Sequence, residues 1–247
     1  MFYENCIVTF IDIMGFKQLV SDTYKDNPEK LDCILDQFWD YFDVGKGPGT
    51  VDIRGFSDSI IVIDPITSLG NHEEILNSVF YNLYRIALVQ MELFKLNILI
   101  RGGVAAGWVY KTDKRIFGEG YQNAYLIESE RARVPVVSIS QNIIDLVTSV
   151  PSSFSYNPQK ERVLSLITKD KHDCSYIDYL RVAFDPNTYD YPNEVFSFIK
   201  EHRRLITSEL NANNHNPVVY AKYLWLKEYH NEHVLMPKGQ AHLQIKS

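Results

Sequence analysis

The fold of this chain is decided by the stretch IVTFIDIMGF, residues 7–16. Its first five residues are β-branched or aromatic, which is the composition of a buried strand. The run ends in a single carboxylate, Asp12, which would lie in a low-dielectric region and therefore favours a cation as its partner. The flexible Gly15 then turns the chain into a new segment, Phe16–Val20.

The backbone N–H groups of Met14, Gly15 and Phe16 follow directly on the carboxylate. They are predicted to open a helix, so that they can face an anion. The loop then offers a cation ligand beside an anion cradle. The alternative is an ordinary strand-to-helix turn in which Asp12 caps the helix, and this stretch alone does not decide between the two.

Length and composition predict one compact domain, or one domain with an extension. The chain has 247 residues, of which 45% are hydrophobic. A net charge of -6 and the lack of a long basic run disfavour a nucleic-acid surface. The three cysteines show neither zinc spacing nor a disulfide framework, and the sequence has no visible signal peptide or membrane-spanning run. These features predict a cytoplasmic protein.

Hydrophobic periodicity divides the first 150 residues into strand, helix, two strands, helix and strand, followed by a further helix and strand. The elements predicted after the first strand are helix 28–43, strands 51–54 and 59–63, helix 72–95, strand 97–106, edge 116–118, helix 121–132, strand 134–139 and helix 141–150. The order matches an α+β fold built on a ferredoxin-like βαββαβ layer, with helices on one face of the sheet.

The two middle strands are joined by a hairpin-type turn, residues 55–58, which carries a second carboxylate, Asp58. In a βαββαβ layer the end of the first strand can lie beside this hairpin. Asp12 and Asp58 are therefore predicted to converge. The alternative is that the two acids form a capping pair of the hairpin.

The character of the sequence changes from residue 151 onward. A linker, a strand over 163–168 and two helices over 194–211 and 218–233 are predicted there. We find no chemical motif in this part, so the predicted organisation is a core of residues 1–150 and a mainly helical extension, 151–247, packed on it. The cluster His202-Arg203-Arg204 is interpreted as a solvated helix face.

Four short motifs follow one another along roughly the first three-fifths of the chain. They are FIDIMGF at 10–16, FSDS at 56–59, RGGVAAG at 101–107 and GEGYQNAYLIE at 118–128. In order and spacing they resemble the motifs F-x-D-I-x-G-F, G-D, R-x-G-[IV]-x-x-G and G-x-x-V-N-x-A-x-R-x-E of class III nucleotidyl cyclase catalytic domains. The short chain, the Arg-Gly-Gly strand and the segment 121–124 look most like the pyrimidine cyclases of Pycsar antiphage systems.

The resemblance implies a two-metal site. Asp12, Asp58 and the backbone carbonyl of Ile13 would hold two Mg²⁺ or Mn²⁺ ions, which prefer such oxygen ligands. One ion would lower the pKa of the ribose 3′-hydroxyl for attack on the α-phosphorus, and the other would neutralise the triphosphate. The residues that the resemblance assigns to the substrate are Met14, Gly15, Phe16, Arg54, Phe56 and Arg115.

Two arginines stand where purine cyclases of this family carry base-reading residues. Arg54 takes the place of a Lys four residues before the second metal Asp, and Arg115 replaces a reader that is often Asp. Since arginine only donates hydrogen bonds, it prefers carbonyl oxygens, and bulky Phe56 and Tyr121 flank the proposed pocket. UTP is predicted first, then CTP, GTP and ATP. The alternative is that Arg54 is merely exposed on a strand.

The fourth motif departs from the family in its catalytic positions. Gln122 stands at the family's Asn, with Asn123 beside it, and Leu126 replaces the Arg that stabilises the transition state. An apolar side chain cannot stabilise a pentavalent phosphorane, so another residue takes this role or the chain is catalytically weak. The candidates are Asn123, Arg101, Arg131 and Arg133.

The resemblance predicts a uridylate cyclase that converts UTP to 3′,5′-cyclic UMP and pyrophosphate. The product would be a second messenger for a separate cyclic-nucleotide-binding effector in antiviral defence. A head-to-tail homodimer with the sites at its interface is expected, with apolar surface from 38–42, Trp108 and Tyr110. The alternatives are a cytidylate cyclase, a guanylate or adenylate cyclase, and a catalytically weak nucleotide-binding dimer.

Overall fold

The computed structural model describes residues 2–43, 51–66, 71–151, 157–184, 192–235 and 241–246. Eight strands form one mixed sheet within these ranges. They are β1 (Phe2–Ile13), β2 (Asp52–Phe56), β3 (Ser59–Pro65), β4 (Ile100–Thr112), β5 (Arg115–Phe117), β6 (Val137–Ile139), β7 (Ile167–Lys169) and β8 (Ser175–Ile177).

The helices of the described ranges alternate with these strands and then dominate the C-terminal part. They are α1 (Phe16–Gln18), α2 (Pro28–Asp43), α3 (His72–Lys95), α4 (Glu119–Arg131), α5 (Gln141–Ser149), α6 (Pro158–Leu164), α7 (Tyr179–Phe184), α8 (Pro192–Ala212) and α9 (Pro217–Leu235). A π-helical turn, Leu19–Thr23, follows α1, and a 3₁₀ turn, Ala241–Leu243, follows α9. None of the helices described is long and apolar enough to cross a membrane.

The first four strands confirm the predicted fold class. They lie in the order β2-β3-β1-β4, and each neighbouring pair is antiparallel. This is the strand order of a ferredoxin-like βαββαβ layer, with β1 in a central position. β1 pairs with β4 along its whole length, from Phe2 to Ile13, and with β3 on its other side, so residues 7–13 lie in the middle of the sheet.

The two faces of the sheet have different partners. Odd-numbered residues of β1, such as Ile7 and Ile11, are buried with α3 and the C-terminal helices in the main core. Even-numbered residues, such as Val8 and Phe10, lie in a second cluster under α4. Because side chains alternate along a strand, Asp12 lies on the same face as Phe10, which is the face that α4 covers only in part.

Glycine lets α4 pack close to the sheet. A Cβ atom at Gly103 would lie 2.3 Å from the carbonyl oxygen of Ala124, and a Cβ at Gly107 would lie 2.7 Å from the backbone nitrogen of Gly120. Any larger residue at these two positions of β4 would push the helix away. The R-x-G-type motif of β4 thus determines how near α4 comes to the carboxylates at the end of β1.

The C-terminal part continues the same sheet. β6 pairs with β4 in parallel, β8 pairs with β6, and β7 pairs with β8. The strand predicted over 163–168 was placed wrongly, because the chain is helical to Leu164 and extended only over Ile167–Lys169. Residues on both sides of position 150 therefore belong to one sheet.

The cluster His202-Arg203-Arg204 was interpreted wrongly in one respect. The side chain of His202 is fully buried, stacked on Phe94 with ring centroids 4.2 Å apart. Arg204 is exposed and pairs with Glu201, as a solvated face requires. The misjudgement arises because a helix interface needs only one of three consecutive residues to point inward.

Candidate active site

Asp12 and Asp58 lie side by side at one end of the sheet. The last residues of β1 pair with the first of β3, so that Asp12 lies opposite Ser59. The backbone N–H of Ile13 donates to the carbonyl oxygen of Asp58 at 3.1 Å. The two carboxylates therefore converge, as the βαββαβ order indicated.

The turn that carries Asp58 has an unusual backbone. β2 and β3 are joined by two residues, Ser57 and Asp58, and Ser57 adopts a left-handed conformation with φ 59°. Tight hairpin turns require positive φ because it matches the twist of the strands, although glycine or asparagine usually supplies it. The turn brings Asp58 toward the end of β1.

Arg101 and Glu128 complete a charged cluster around Asp12. Arg101 Nε donates to Asp12 Oδ2 at 3.1 Å and lies 2.8 Å from Glu128 Oε1. Burial raises the pKa of Asp12, Arg101 opposes this shift, and the nearby Asp58 adds to it. Burial likewise raises the pKa of Glu128, which is only 4% exposed. Three carboxylates here face one guanidinium.

This chemistry fits a divalent cation. The cluster has excess negative charge, and carboxylate oxygens are the ligands that Mg²⁺ and Mn²⁺ prefer. No group of three or more His, Cys, Asp or Glu side chains is positioned to hold a metal within the described ranges. A metal at Asp12 and Asp58 would therefore need a backbone carbonyl, such as that of Ile13, and oxygens of water or substrate.

The turn after β1 offers two backbone amides to an anion, one fewer than expected. The N–H of Met14 donates to the carbonyl oxygen of Leu99 at 2.8 Å, so the expectation for Met14 is corrected. The amides of Gly15 and Phe16 make no hydrogen bond within the described part of the chain. Gly15 has φ 76°, a conformation that glycine adopts without strain.

The segment after Gly15 is not the regular helix that was expected. α1 has three residues, and the π-helical turn Leu19–Thr23 continues it directly. Such single π-helical turns are frequent at functional sites.

Arg54 lies on the same face of the sheet as Asp12, but it is paired. Its Nε and Nη2 donate to the two carboxylate oxygens of Asp52 at 3.4 and 3.1 Å. Lys111 of β4 reaches the same carboxylate, with Nζ 2.8 Å from Asp52 Oδ2. Phe56, at the end of β2, is 82% exposed.

Arg115 lies in the hairpin that joins β4 and β5. Its side chain is exposed, and its backbone N–H donates to Thr112 Oγ1 at 3.1 Å. Tyr121 packs edge-on against Phe10, with ring centroids 6.2 Å apart. These two residues therefore differ: Arg115 is open to solvent, while the ring of Tyr121 is part of the packing between α4 and the sheet.

The positions of α4 that the sequence predicts to be catalytic lie on its outer side. Gln122 is exposed, while Asn123 and Leu126 line a pocket of about 270 Å³ together with Ser140 and Gln141. The four candidates for the missing arginine lie in different places. Asn123 is in this pocket, Arg101 is bound to Asp12 and Glu128, Arg133 lines a different cavity beside Tyr176 and Trp225, and the side chain of Arg131 is outside the described residues.

Sequence reasoning assigned no role to four charged residues near these positions, namely Asp52, Lys111, Glu128 and Lys222. Asp52 and Arg54 are two residues apart on one strand, and this spacing could have indicated that they share a face. Lys222 of α9 is half-buried and has no ion pair within the described part of the chain. Burial lowers its pKa, and the nearby Arg101 lowers it further. The C-terminal extension thus reaches the candidate site.

The comparisons with known proteins concern structure alone. No protein-family model matches the chain, and no curated protein matches it by sequence. The crystal structure of the adenylyl cyclase CyaB from P. aeruginosa matches with a TM-score of 0.50 at 17% identity, over 71% of this chain and 94% of that one. The chain has the fold of that adenylyl cyclase.

A second solved structure matches the same share of this chain. The monomeric guanylyl cyclase domain of the RhoGC fusion protein from the aquatic fungus Blastocladiella emersonii matches with a TM-score of 0.49 at 15% identity, over 71% of this chain and 95% of that one. At 17% identity the likeness to the adenylyl cyclase concerns the fold alone. What this chain does must be argued from its own site.

Proposed function

We propose that the protein is a nucleotidyl cyclase that converts UTP to 3′,5′-cyclic UMP and pyrophosphate. The observation that carries the proposal is the convergence of Asp12 and Asp58 at the ends of two paired strands, beside the two open amides of Gly15 and Phe16. This loop combines a cation ligand pair with an anion cradle, which is what a metal-bound triphosphate requires.

In the reaction the ribose 3′-hydroxyl gives its proton to solvent water and its oxygen bonds to the α-phosphorus, while the bond from that phosphorus to the pyrophosphate oxygen breaks and pyrophosphate leaves. Divalent cations held by Asp12, Asp58 and the Ile13 carbonyl would supply Lewis acidity for both oxygens. The Gly15 and Phe16 amides would bind terminal phosphate oxygens. Arg101 would hold Asp12 in position, through the hydrogen bond that it already donates.

Base selection in this proposal follows from Arg54. Its guanidinium only donates hydrogen bonds, so it favours the two carbonyl oxygens of uracil over the amino groups of cytosine and adenine. Phe56 and Arg115 would contact the nucleotide from the open face of the sheet. The expected order of substrates is UTP, CTP, GTP and ATP.

The proposal includes a homodimer and a signalling role. Gln122 and Asn123 lie on the outer side of α4, so in a head-to-tail pair they would face the metal-binding loop of the partner. Exposed apolar side chains on this side, such as Phe56 and Leu126, would be covered in that pair. The cyclic product would act on a separate effector, in antiviral defence.

The test is product identification. The purified protein is incubated with each of the four nucleoside triphosphates and Mn²⁺ or Mg²⁺, and the products are identified by mass. Cyclic UMP from UTP, absent with Asp58→Asn protein, is the expected result. Cyclic AMP as the main product would show that the base assignment is wrong.

A second candidate is a nucleotide-binding dimer with little catalysis. It is favoured by Leu126, which is 46% exposed where a cation would be needed, and by Arg101, which is engaged by two carboxylates. Tight binding of UTP without turnover, under conditions in which 3′-deoxy-UTP binds equally well, would establish this alternative.

A further inference from the structure

Helix α9 of the C-terminal extension packs against the end of β1. Val219 and Tyr223 of this helix lie in one apolar cluster with Met14 and Leu99. The backbone N–H of Met14 donates to the carbonyl oxygen of Leu99 at 2.8 Å. The two open amides of the turn belong to the residues that follow Met14 directly, so they lie at the edge of this cluster.

The cluster covers one end of the face of the sheet that carries the candidate site. Asp12 pairs with Arg101 across β1 and β4, and the bond from Met14 to Leu99 continues this pairing two residues further along the chain on each side. Side chains two residues apart on a strand lie on the same face. Helix α9 therefore lies near Arg101, at the end of the sheet where Asp12 and Asp58 converge.

Two hydrogen bonds hold the C-terminal helices to the segment that leads into β4. The hydroxyl of Tyr223 donates to Asn97 Oδ1 at 3.4 Å, and Asn97 Nδ2 donates to Glu209 Oε1 of α8 at 2.9 Å. Asn97 has φ 57°, a left-handed conformation that asparagine tolerates better than most residues. The position of α9 is therefore coupled to the start of the strand that carries Arg101.

Lys222 lies on α9 directly before Tyr223 and three residues after Val219, so it borders the face of the helix that packs on the sheet. It is half-buried and makes no hydrogen bond or ion pair within the described part of the chain. Burial lowers its pKa, and the nearby Arg101 lowers it further. A half-buried cation beside a second cation is unfavourable unless an anion binds to it.

The candidate site does not itself supply this anion among the described residues. Arg101 Nε lies 3.1 Å from Asp12 Oδ2 and 2.8 Å from Glu128 Oε1, so these carboxylates are already paired with a cation. A polyanionic ligand that reaches the loop after β1 would meet the ammonium of Lys222 and the open amides of that loop together.

We propose that Lys222 binds the terminal phosphates of the nucleoside triphosphate, so that the C-terminal extension supplies a cation to the active site of its own subunit. This inference rests on the proposed cyclase function, which it deepens. The β- and γ-phosphates would lie between the open amides of Gly15 and Phe16 and the ammonium of Lys222. These phosphates leave as pyrophosphate, and a cation on them stabilises the negative charge that develops there.

The test is binding of inorganic tripolyphosphate and of UMP, each with Mg²⁺, measured by calorimetry on full-length wild-type protein and on Lys222→Met. Tripolyphosphate has the terminal phosphates without the nucleoside, and UMP has the nucleoside without the terminal phosphates. We expect Lys222→Met to weaken tripolyphosphate binding about tenfold, the change that corresponds to one lost charge-assisted hydrogen bond. The affinity for UMP should not change.

Two further variants separate the charge of Lys222 from its packing. Lys222→Arg keeps a cation at this position and should bind tripolyphosphate nearly as tightly as the wild type. Lys227→Met is the matched control, because Lys227 lies on the same helix but its Nζ donates to the carbonyl oxygen of Lys246 at 3.2 Å. It should leave the affinities for tripolyphosphate and for UMP unchanged.

Neither ligand can be cyclised, so these measurements separate this inference from the cyclase function. If the wild type turns over no triphosphate, the proposed function fails, and the affinities for tripolyphosphate decide the inference alone. An unchanged affinity for tripolyphosphate in Lys222→Met, an equal loss of affinity for UMP, or no binding of tripolyphosphate to the wild type overturns it. Lys222→Gln serves as a second variant should Lys222→Met not fold.

Discussion

Asp12 and Asp58 are the residues on which the proposed chemistry depends most directly. We expect Asp58→Asn to lower kcat by about three orders of magnitude, since a catalytic metal supplies several kcal/mol and each 1.36 kcal/mol is a factor of ten. The side chain lies in a turn and packs little, so the melting temperature should change by only a few degrees. Activity assays and thermal melts check both parts.

The control for this prediction is Asp32→Asn. Asp32 lies on the exposed side of α2 and has the same charge, so it should leave both kcat and the melting temperature unchanged. Asp12→Asn should also abolish turnover, although it additionally removes one of the two charged partners of Arg101. Near wild-type cyclisation by either metal-site variant would contradict the metal assignment.

Ser57 stores backbone strain beside Asp58. A non-glycine residue in the left-handed region costs roughly 1–2 kcal/mol, and Ser57 has φ 59°. Replacement by glycine relieves this strain but adds freedom to the unfolded chain. We expect Ser57→Gly to raise the free energy of unfolding by about 0.5 kcal/mol, as measured by urea denaturation. A loss of stability would mean that the serine side chain itself holds the turn.

The sequence indicated the two aspartates because their chemistry is local. A carboxylate directly after a β-branched run, and another in a hairpin turn, can be recognised without tertiary information. Two contacts between distant parts of the chain could not be found in this way. The Lys111–Asp52 pair joins β4 to β2, two strands that are not neighbours in the sheet, and the bond from Met14 to Leu99 depends on strand register. Neither contact can be recognised from a short stretch of sequence.

At the level of elements, α7, α8, α9 and the C-terminal turn are joined by a chain of buried hydrogen bonds. Leu243 O can only accept, so His230 Nε2 must donate to it at 3.0 Å. The neutral ring of His230 then accepts at Nδ1 from His202 Nδ1, at 3.0 Å. His202 Nε2 in turn accepts from the hydroxyl of Tyr179 at 2.8 Å. Every proton in this chain is fixed as long as both imidazoles are neutral.

These four hydrogen-bonded groups predict that the protein loses stability in mild acid. Burial lowers the pKa of His202, and the nearby His230 and His233 lower it further. Burial also lowers the pKa of His230, although its hydrogen bond to Leu243 opposes this shift. Below pH about 6.5 the unfolded histidines bind protons more readily than the folded ones, so the free energy of unfolding falls as the pH falls, by at most about 1.4 kcal/mol per pH unit for each histidine. Urea denaturation between pH 7 and 5.5 measures the slope.

His230→Gln isolates this effect. Glutamine has one acceptor and one donor, so it can bond to His202 and to Leu243 but cannot titrate. The slope should be smaller in this variant, by at most about 1.4 kcal/mol per pH unit. The exposed His215 provides the control, because His215→Gln should leave the slope unchanged. The same slope in His230→Gln as in the wild type would exclude His230 as a cause.

The long elements were easier to predict than the short ones. The α3 helix has 24 residues with a clear apolar face, and its predicted bounds are those observed. β7 and β8 have three residues each and no periodicity to detect. They exist because they extend a sheet that is already formed, through the pairing of Ser138 with Tyr176. Such elements are determined by tertiary context.

For the molecule as a whole, the extension and the core meet at the candidate site. Met14 packs with Leu99 and with Leu205, Ile206 and Tyr223 of the C-terminal helices. We expect Lys222→Met to weaken binding of 3′-deoxy-UTP several-fold, because a half-buried cation near Arg101 favours an anionic ligand. Lys227→Met, on the same helix, is the control. Equal affinities in all three proteins would show that Lys222 does not contribute to the site.

The proposed dimer predicts a specific pattern of complementation. If each site takes its metal ligands from one subunit and Gln122 from the other, a mixed dimer of Asp58→Asn and Gln122→Ala contains one site without either change. Co-expression of the two inactive variants should then restore roughly a quarter of wild-type activity, because half of the dimers are mixed and each has one intact site.

A second mixture distinguishes shared sites from mere stabilisation by association. Asp12→Asn and Asp58→Asn both affect the metal-binding half, so every site in their mixed dimers lacks one aspartate and no activity should return. Sedimentation at micromolar concentration gives the mass of the active species. If mixed dimers are detected by mass but neither mixture recovers activity, each complete site lies within one subunit. The apolar side chains Phe56 and Leu126 would then need another partner.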